Sequence, residues 1–367
     1  MMLLTAPDLR IVSFGGARLV QRPDGLRERM DVRTAELLTS CRTLRQRGEV
    51  EEHYSAALTQ TLLDRGLLVE ERTLWSAQEI RAVEIETTTV CNWRCVYCPA
   101  SDHPRPRRIM PMPLFELILK RIAECPSIRH VTLHYFNEPT IDPFFLQRVE
   151  RLCRQGLGLY LFTNGSGLCK SLLKELKATG IVEAIYFTFP SANQEEFVRL
   201  TGGKGAMAHS TAMVRTAIAL GFDVRLSVQG EAQEKRQRIA EICKLFSLPP
   251  AQIAPWETFD RAGSVSAQPY RRYTRITCER LCGCRHILSR LYVDVEGSLL
   301  LCDQDFDKTI CFGDVRDGRF EDLLASRRAG EIKRWIFGGQ RAPDELLCRH
   351  CQRMLEAQRL FATESDI

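Results

Sequence analysis

Between residues 81 and 265 the chain alternates short apolar runs with amphipathic stretches, and no other feature restricts its fold as much. Strands are predicted at 82–86, 130–135, 158–163, 184–189, 223–228 and 252–256, with helical patterns between them at 113–124, 143–155 and 171–179. Parallel strands need long crossovers, and helices supply them. Repeated βα units therefore specify an α/β fold with a parallel sheet whose ligands bind at the carboxyl ends of the strands. Six units make a partial (β/α)6 TIM barrel rather than a closed eight-stranded one.

The flanking segments have a different character. Residues 1–80 hold β-like runs at 10–14 and 17–21 and a turn at 22–25. Asp31 is placed to cap a helix through 35–38, and a second helix over 54–65 stops at Gly66 before a strand at 67–70. This pattern predicts a small winged-helix-like domain. Residues 266–367 contain a hairpin, 290–295 and 298–301 around Glu296-Gly297, and a helix over 320–326. The expected domains are thus 1–80, 81–265 and 266–367.

The chain has 15 cysteines in 367 residues and no basic, apolar leader of the secretory kind, so the expected compartment is the reducing cytoplasm. There, a cysteine-rich enzyme binds metal more often than it forms disulfides. Seven cysteines fall into two spaced groups. Most of the other eight, Cys41, Cys125, Cys153, Cys169, Cys243, Cys278, Cys282 and Cys311, default to small buried hydrophobes. A net charge of +5 without a dense Lys/Arg block requires no nucleic-acid partner. No apolar run reaches the ~18 residues of a membrane span.

The first group is Cys91-Asn-Trp-Arg-Cys95-Val-Tyr-Cys98, directly behind the first strand of the βα series. Three thiolates on one short loop converge on a soft metal centre and leave one iron of a four-iron cluster without a protein ligand. A zinc loop is the alternative, but zinc sites favour paired cysteines and four protein ligands. The loop resembles that of the radical S-adenosylmethionine (SAM) superfamily. The resemblance implies a [4Fe-4S] cluster whose open iron chelates S-adenosylmethionine. It also implies reductive cleavage to a 5′-deoxyadenosyl radical, fed by a donor such as flavodoxin or ferredoxin. Tyr97 matches the aromatic position near adenine.

Other strand ends carry the likeness further. Asn137-Glu138-Pro139 resembles the end of a Gly-Gly-Glu-Pro motif, with Phe136 and Asn137 in place of the glycines. Thr163-Asn164-Gly165 resembles the turn after the third strand, Thr188 stands where many relatives carry serine, and Gln229 follows the fifth strand. The resemblance makes Tyr97, Asn137, Glu138, Pro139, Thr163, Asn164, Thr188 and Gln229 cofactor contacts; β-propensity alone accounts equally for Thr188. Asp260-Arg261-Ala262-Gly263 resembles the passage from such barrels into a cluster-binding extension.

The second group is Cys284, Cys302, Cys348 and Cys351. Gly297-x4-Cys302 and the closing Cys-x2-Cys resemble the twitch domain, a short relative of SPASM. This implies one auxiliary [4Fe-4S] cluster, with Cys278, Cys282 and Cys311 as alternative ligands; a zinc ribbon also accounts for the closing pair. The N-terminal segment resembles peptide-recognition modules that bind leader peptides by strand addition. A ribosomally made peptide is therefore the expected substrate. A small-molecule dehydrogenase of sugar or aminocyclitol biosynthesis is the first alternative, and a non-catalytic zinc or iron–sulfur protein the second.

Overall fold

The computed structural model describes residues 1–7, 9–14, 17–22, 26–74, 80–229, 232–255, 259–266 and 275–361. The chain divides into two compact units. One comprises Met1–Glu79, Tyr273–Ser289 and Glu321–Ile367; the other comprises Ile80–Arg272 and Arg290–Phe320.

The first unit has strands β1 (Met2–Thr5), β2 (Arg10–Phe14), β3 (Ala17–Gln21), β4 (Arg27–Met30), β5 (Arg45–Gln46) and β6 (Leu68–Glu70). β1 lies between β5 and β6, and β2–β4 form an antiparallel meander. Helices cover Val32–Ser40, Arg47–Tyr54 and Ala56–Asp64. Asp31 caps the first as expected, its carboxylate accepting from Thr34 N at 2.9 Å and Thr34 Oγ1 at 2.6 Å. The helix predicted over 54–65 starts at Ala56 because Ser55 takes φ 120° and caps it, its Oγ accepting from Leu58 N. Helix Arg47–Tyr54 escaped prediction because it buries only Val50 and has no apolar stripe. Residues 23–25 of the expected turn lie outside the described residues. Leu3, Leu9, Val20, Leu37, Leu38, Leu62 and Leu68 close one core.

The second unit carries β7 (Ala82–Ile85), β8 (His130–Thr132), β9 (Gly158–Thr163), β10 (Val182–Thr188), β11 (Val224–Val228), β12 (Ile253–Pro255), β13 (Arg290–Val293), β14 (Ser298–Leu300) and β15 (Cys311–Asp314). All six predicted barrel strands exist, parallel and in sequence order, with helices as crossovers. Trp256, expected at the end of β12, lies outside the described residues. The predicted hairpin joins the same sheet, with β13 pairing in parallel with β7 and β14 and β15 following antiparallel. Gly297 makes the hairpin turn at φ +97°. A Cβ there would meet Arg316 Nη1 at 3.0 Å and Leu114 Cδ1 at 3.1 Å, so this position requires glycine.

β8 stops three residues before its predicted end for a local reason. The Asn137 side chain accepts from Tyr135 N at 2.8 Å and donates to Leu133 O at 3.2 Å, taking backbone groups that a longer strand would give to its neighbours. Along β9 one face is sealed, with Leu159 and Leu161 fully buried, while Tyr160 and Phe162 stand on the other. There Phe162 stacks on Tyr186 (centroids 4.5 Å, 11°) and on His134 (5.2 Å, 23°).

Candidate functional site

The three cysteines of the first group sit on the loop that leaves β7, and the loop is pinned at both sides. Arg94 N donates to Thr201 O at 2.8 Å and Val96 N to Leu200 O at 3.0 Å. Ser101 Oγ donates to Cys95 O at 2.7 Å. Trp93 meets Phe197 edge to face at 5.4 Å, and Tyr97 packs with Val96 against Leu200 and Val265.

The thiols lie near enough for charge on one to raise another. Burial pushes Cys91 up to about 12, with Glu138 and Cys98 adding repulsion. Burial likewise holds Cys95 well above the usual thiol range, and the charges of Cys98 and Cys91 raise it further. Cys98 is also raised by burial, but the Ala100 N–H and the guanidiniums of Arg261, Arg105 and Arg94 oppose the rise. Three desolvated, mutually repelling thiols become thiolates only against a compensating cation, so this donor set fits a soft metal cluster. Among the described residues no three His, Cys, Asp or Glu side chains meet at the spacing of a single ion. A four-iron cube takes each sulfur on a different iron and holds its ligands farther apart.

The ends of β8 and β9 converge beside this loop. Glu138 N donates to Val90 O at 2.9 Å. The fully buried Glu138 carboxylate accepts from Thr140 N (3.0 Å), Thr140 Oγ1 (2.5 Å), Thr163 Oγ1 (2.6 Å) and Asn164 N (2.6 Å). Burial raises its pKa while these donors hold it down. Glu138 thus ties two strand ends together, and Pro139 starts a single buried helical turn behind it. Asn164 Nδ2 reaches Asn92 Oδ1 at 3.0 Å and Cys91 Sγ at 4.0 Å, tying the third strand end to the cysteine loop. Thr188 ends β10 in register with Ser227. Gln229 follows β11, and its carbonyl accepts from Arg238 Nη1 at 2.7 Å.

Two features of this region had no signal in residue spacing. His134 stands over Phe162 with Nδ1 buried and without a hydrogen-bond partner among the described residues. Burial, reinforced by Arg261, depresses it to about 4, so the ring is neutral near pH 7. Arg261 and Ala262 both take left-handed backbone (φ +52° and +53°), an uncommon state for non-glycine residues that persists only where surroundings enforce it.

The second cysteine group is divided between the units. Cys302, in the unit of the parallel sheet, is buried at the end of β14. Tyr135 Oη donates toward its carbonyl (2.9 Å) and that of Asp305 (2.7 Å). Cys284, Cys348 and Cys351 belong to the other unit. Burial pushes Cys351 up to about 12, and the next contribution is the charge of Cys284, so these two thiols are neighbours. Arg349, inside the closing Cys-x2-Cys, is buried and donates to five carbonyls: Ile276, Cys278, Glu279, Ala342 and Pro343, at 2.8–3.3 Å. It fastens the segment leading to Cys284 against the Cys348–Cys351 turn. Of the alternative ligands, Cys282 is buried and donates to Gln358 Oε1, while Cys278 and Cys311 are exposed and reach backbone carbonyls.

Comparison with known proteins places these features in a wider set. A family model described as the Radical SAM superfamily matches residues 85–239, and one described as an iron–sulfur cluster-binding domain, SPASM, matches residues 282–352. A tungsten-containing aldehyde ferredoxin oxidoreductase cofactor-modifying protein from Pyrococcus furiosus is 32% identical over 104 residues, 28% of this chain and 29% of that relative's length. The S-adenosyl-L-methionine-dependent 2-deoxy-scyllo-inosamine dehydrogenase of Niallia circulans is 21% identical over 74% of this chain and 92% of its own. The crystal structure of Streptococcus suis SuiB bound to precursor peptide SuiA aligns with a TM-score of 0.57 at 11% identity, over 96% of this chain and 94% of that one. No described helix is long and apolar enough to cross a membrane.

Proposed function

We infer that this chain, which carries a radical SAM domain followed by a SPASM iron–sulfur domain, reductively cleaves S-adenosylmethionine and uses the radical to mature a ribosomally made peptide. The observation that carries the first half is the convergence of Cys91, Cys95 and Cys98, half-buried and close enough for their charges to interact, at the carboxyl end of β7 beside the ends of β8 and β9. These three thiolates would hold a four-iron cluster, with one iron left free of protein ligands. With the cluster and S-adenosylmethionine bound, the chemistry supplied there is one-electron cleavage of the sulfonium and hydrogen abstraction from a C–H bond.

The chain's own residues shape and seal that place. Glu138 is committed to Thr140, Thr163 and Asn164, so it sets the positions of the strand ends. By the family resemblance, the backbone at Asn137–Pro139 would hold the cofactor, with Tyr97 as the aromatic for adenine and Asn164, Thr188 and Gln229 as further contacts. The rings of Phe162 and Tyr186 line the sheet face beside them and exclude water from a reactive radical.

Cys284, Cys302, Cys348 and Cys351 are assigned to one auxiliary cluster on their spacing along the chain. With four protein ligands such a cluster would have no iron free for substrate, and the chemistry it would supply is electron transfer; a donor such as flavodoxin or ferredoxin would provide the first electron. The likeness to SuiB extends over the N-terminal segment as well as the sheet, which supports leader-peptide recognition by the winged-helix-like residues 1–80. A small-molecule dehydrogenase is the second reading, favoured by the length over which the Niallia circulans enzyme aligns.

The test is anaerobic reconstitution. The wild type is expected to form 5′-deoxyadenosine under reduction, and the C91A/C95A/C98A variant to form none. Detectable 5′-deoxyadenosine from the triple variant sinks the assignment. A mass change in a candidate peptide, against none in an aminocyclitol, separates the two substrate readings.

A further inference from the structure

Phe136 occupies a position where the resembling motif has glycine, and the structure gives its ring a use. Two guanidiniums lie over it, Arg105 at 5.9 Å and Arg261 at 5.5 Å from the centroid. They come from distant segments, one behind the cysteine loop and one beyond β12. Its edge meets Phe306 at 4.9 Å and 90°, and Arg105 also lies over Phe306 at 5.1 Å. Phe306 belongs to the loop that begins at Cys302. Asp305, fully buried, stiffens that loop by accepting from Thr309 N, Thr309 Oγ1 and Ile310 N at 2.8–3.0 Å.

Among the described residues each arginine is anchored at one end only. Arg105 Nη2 bonds Glu86, while its Nε and Nη1 are buried with no hydrogen-bond partner among the described residues. Arg261 Nη1 bonds Asp303, the residue after Cys302, at 2.8 Å. Both come from segments that flank the cysteine loop: the turn carrying Arg261 packs Val265 against Val96 and Tyr97, and Arg105 follows Cys98 by seven residues. The neighbouring Tyr135 grips the Cys302 carbonyl from the same turn. One aromatic ring therefore gathers two charges on the flank of the cysteine loop and fastens them to the Cys302 loop.

We propose that Phe136, Arg105 and Arg261 form a coupling element that raises the reduction potential of the cluster at Cys98 and holds the Cys302 loop in fixed register with it. The proposal rests on the function inferred above. Positive charge beside a cluster favours its reduced, more negative state, so removing either guanidinium lowers the potential. Arg261 does a second job through Asp303, and Phe136 holds both cations in place. These are positioning residues; none needs to touch substrate.

The experiment is an EPR-monitored redox titration of the reconstituted holoenzyme, with anaerobic hydrogen exchange over residues 302–310. R261Q and R105Q are expected to lower the midpoint potential of the first cluster. R261Q and F136L are also expected to speed exchange over 302–310 at least tenfold. R261K keeps the charge and is expected to restore the potential. Unshifted potential and exchange in R261Q and F136L overturn the proposal, as does an R261K potential as low as that of R261Q. If a glutamine variant fails to fold, F136L still decides through exchange: a wild-type rate over 302–310 in F136L rejects the coupling. A wild type with no four-iron signal rejects the proposed function itself, which is a different result.

Discussion

The two cysteine groups are built on opposite plans. Cys91, Cys95 and Cys98 lie within eight residues, and their own backbone brings them together: Cys98 N donates to Cys95 O, and the loop between them bonds to one neighbouring helix end. Cys284, Cys348 and Cys351 span 68 residues and owe their approach to a buried arginine that gathers carbonyls from both segments. A compact loop spends little chain entropy and tolerates loss of any one support. A dispersed set concentrates its support in one residue.

That contrast orders the expected effects of mutation. The largest belongs to Arg349. R349M leaves five carbonyls without their donor, and the expected loss is about 4 kcal/mol of stability, read as a fall in melting temperature. Iron is expected to fall by half, with 5′-deoxyadenosine formation retained; full iron content would show that the dispersed set has other support. Next comes E138A, which strands four donors at the strand ends and is expected to cost about 3 kcal/mol in urea unfolding.

His134 offers a pH test of the sheet face. Its folded pKa is depressed, so the unfolded chain binds a proton first as pH falls below about 6.5, and stability is lost from there down to about pH 4, where the folded ring titrates. H134F is expected to flatten that loss by about 2 kcal/mol between pH 7 and pH 5, measured as unfolding free energy at the two values. An unchanged slope would place the loss elsewhere. The smallest effect is reserved for the compact loop. N164A removes the bonds to Asn92 and Cys91 yet is expected to cost only about 1 kcal/mol and to keep the first cluster's EPR signal. Loss of that signal would show that the loop depends on its neighbours as heavily as the dispersed set does.

The barrel strands were legible because each is a short apolar run flanked by helical pattern, and the spacing of both cysteine groups stood out from the sequence. β1 and β15 were not legible: β1 is only four residues long without alternation, and Cys311–Asp314 contains a glycine and an aspartate that read as turn. The early end of β8 is a side-chain event at Asn137 that no propensity reports. The roles of Arg105, Arg261 and Arg349 were hidden for a common reason. Their partners lie far along the chain or are backbone carbonyls, so even Arg261, in a segment that stood out by resemblance, gave no local sign of what it holds. Glu138 was placed by resemblance, but its four bonds became visible only in three dimensions.

The pairing of β13 with β7 has a practical corollary. In an open six-stranded barrel β7 would be the last strand, presenting bare amide and carbonyl groups to any passing chain. Here Ala82–Ile85 is hydrogen-bonded on both flanks, by β8 and by residues that arrive some two hundred positions later. A fragment truncated before Arg290 would therefore synthesise a sticky rim in place of a finished enzyme, and during translation the sheet stays incomplete until the hairpin has left the ribosome.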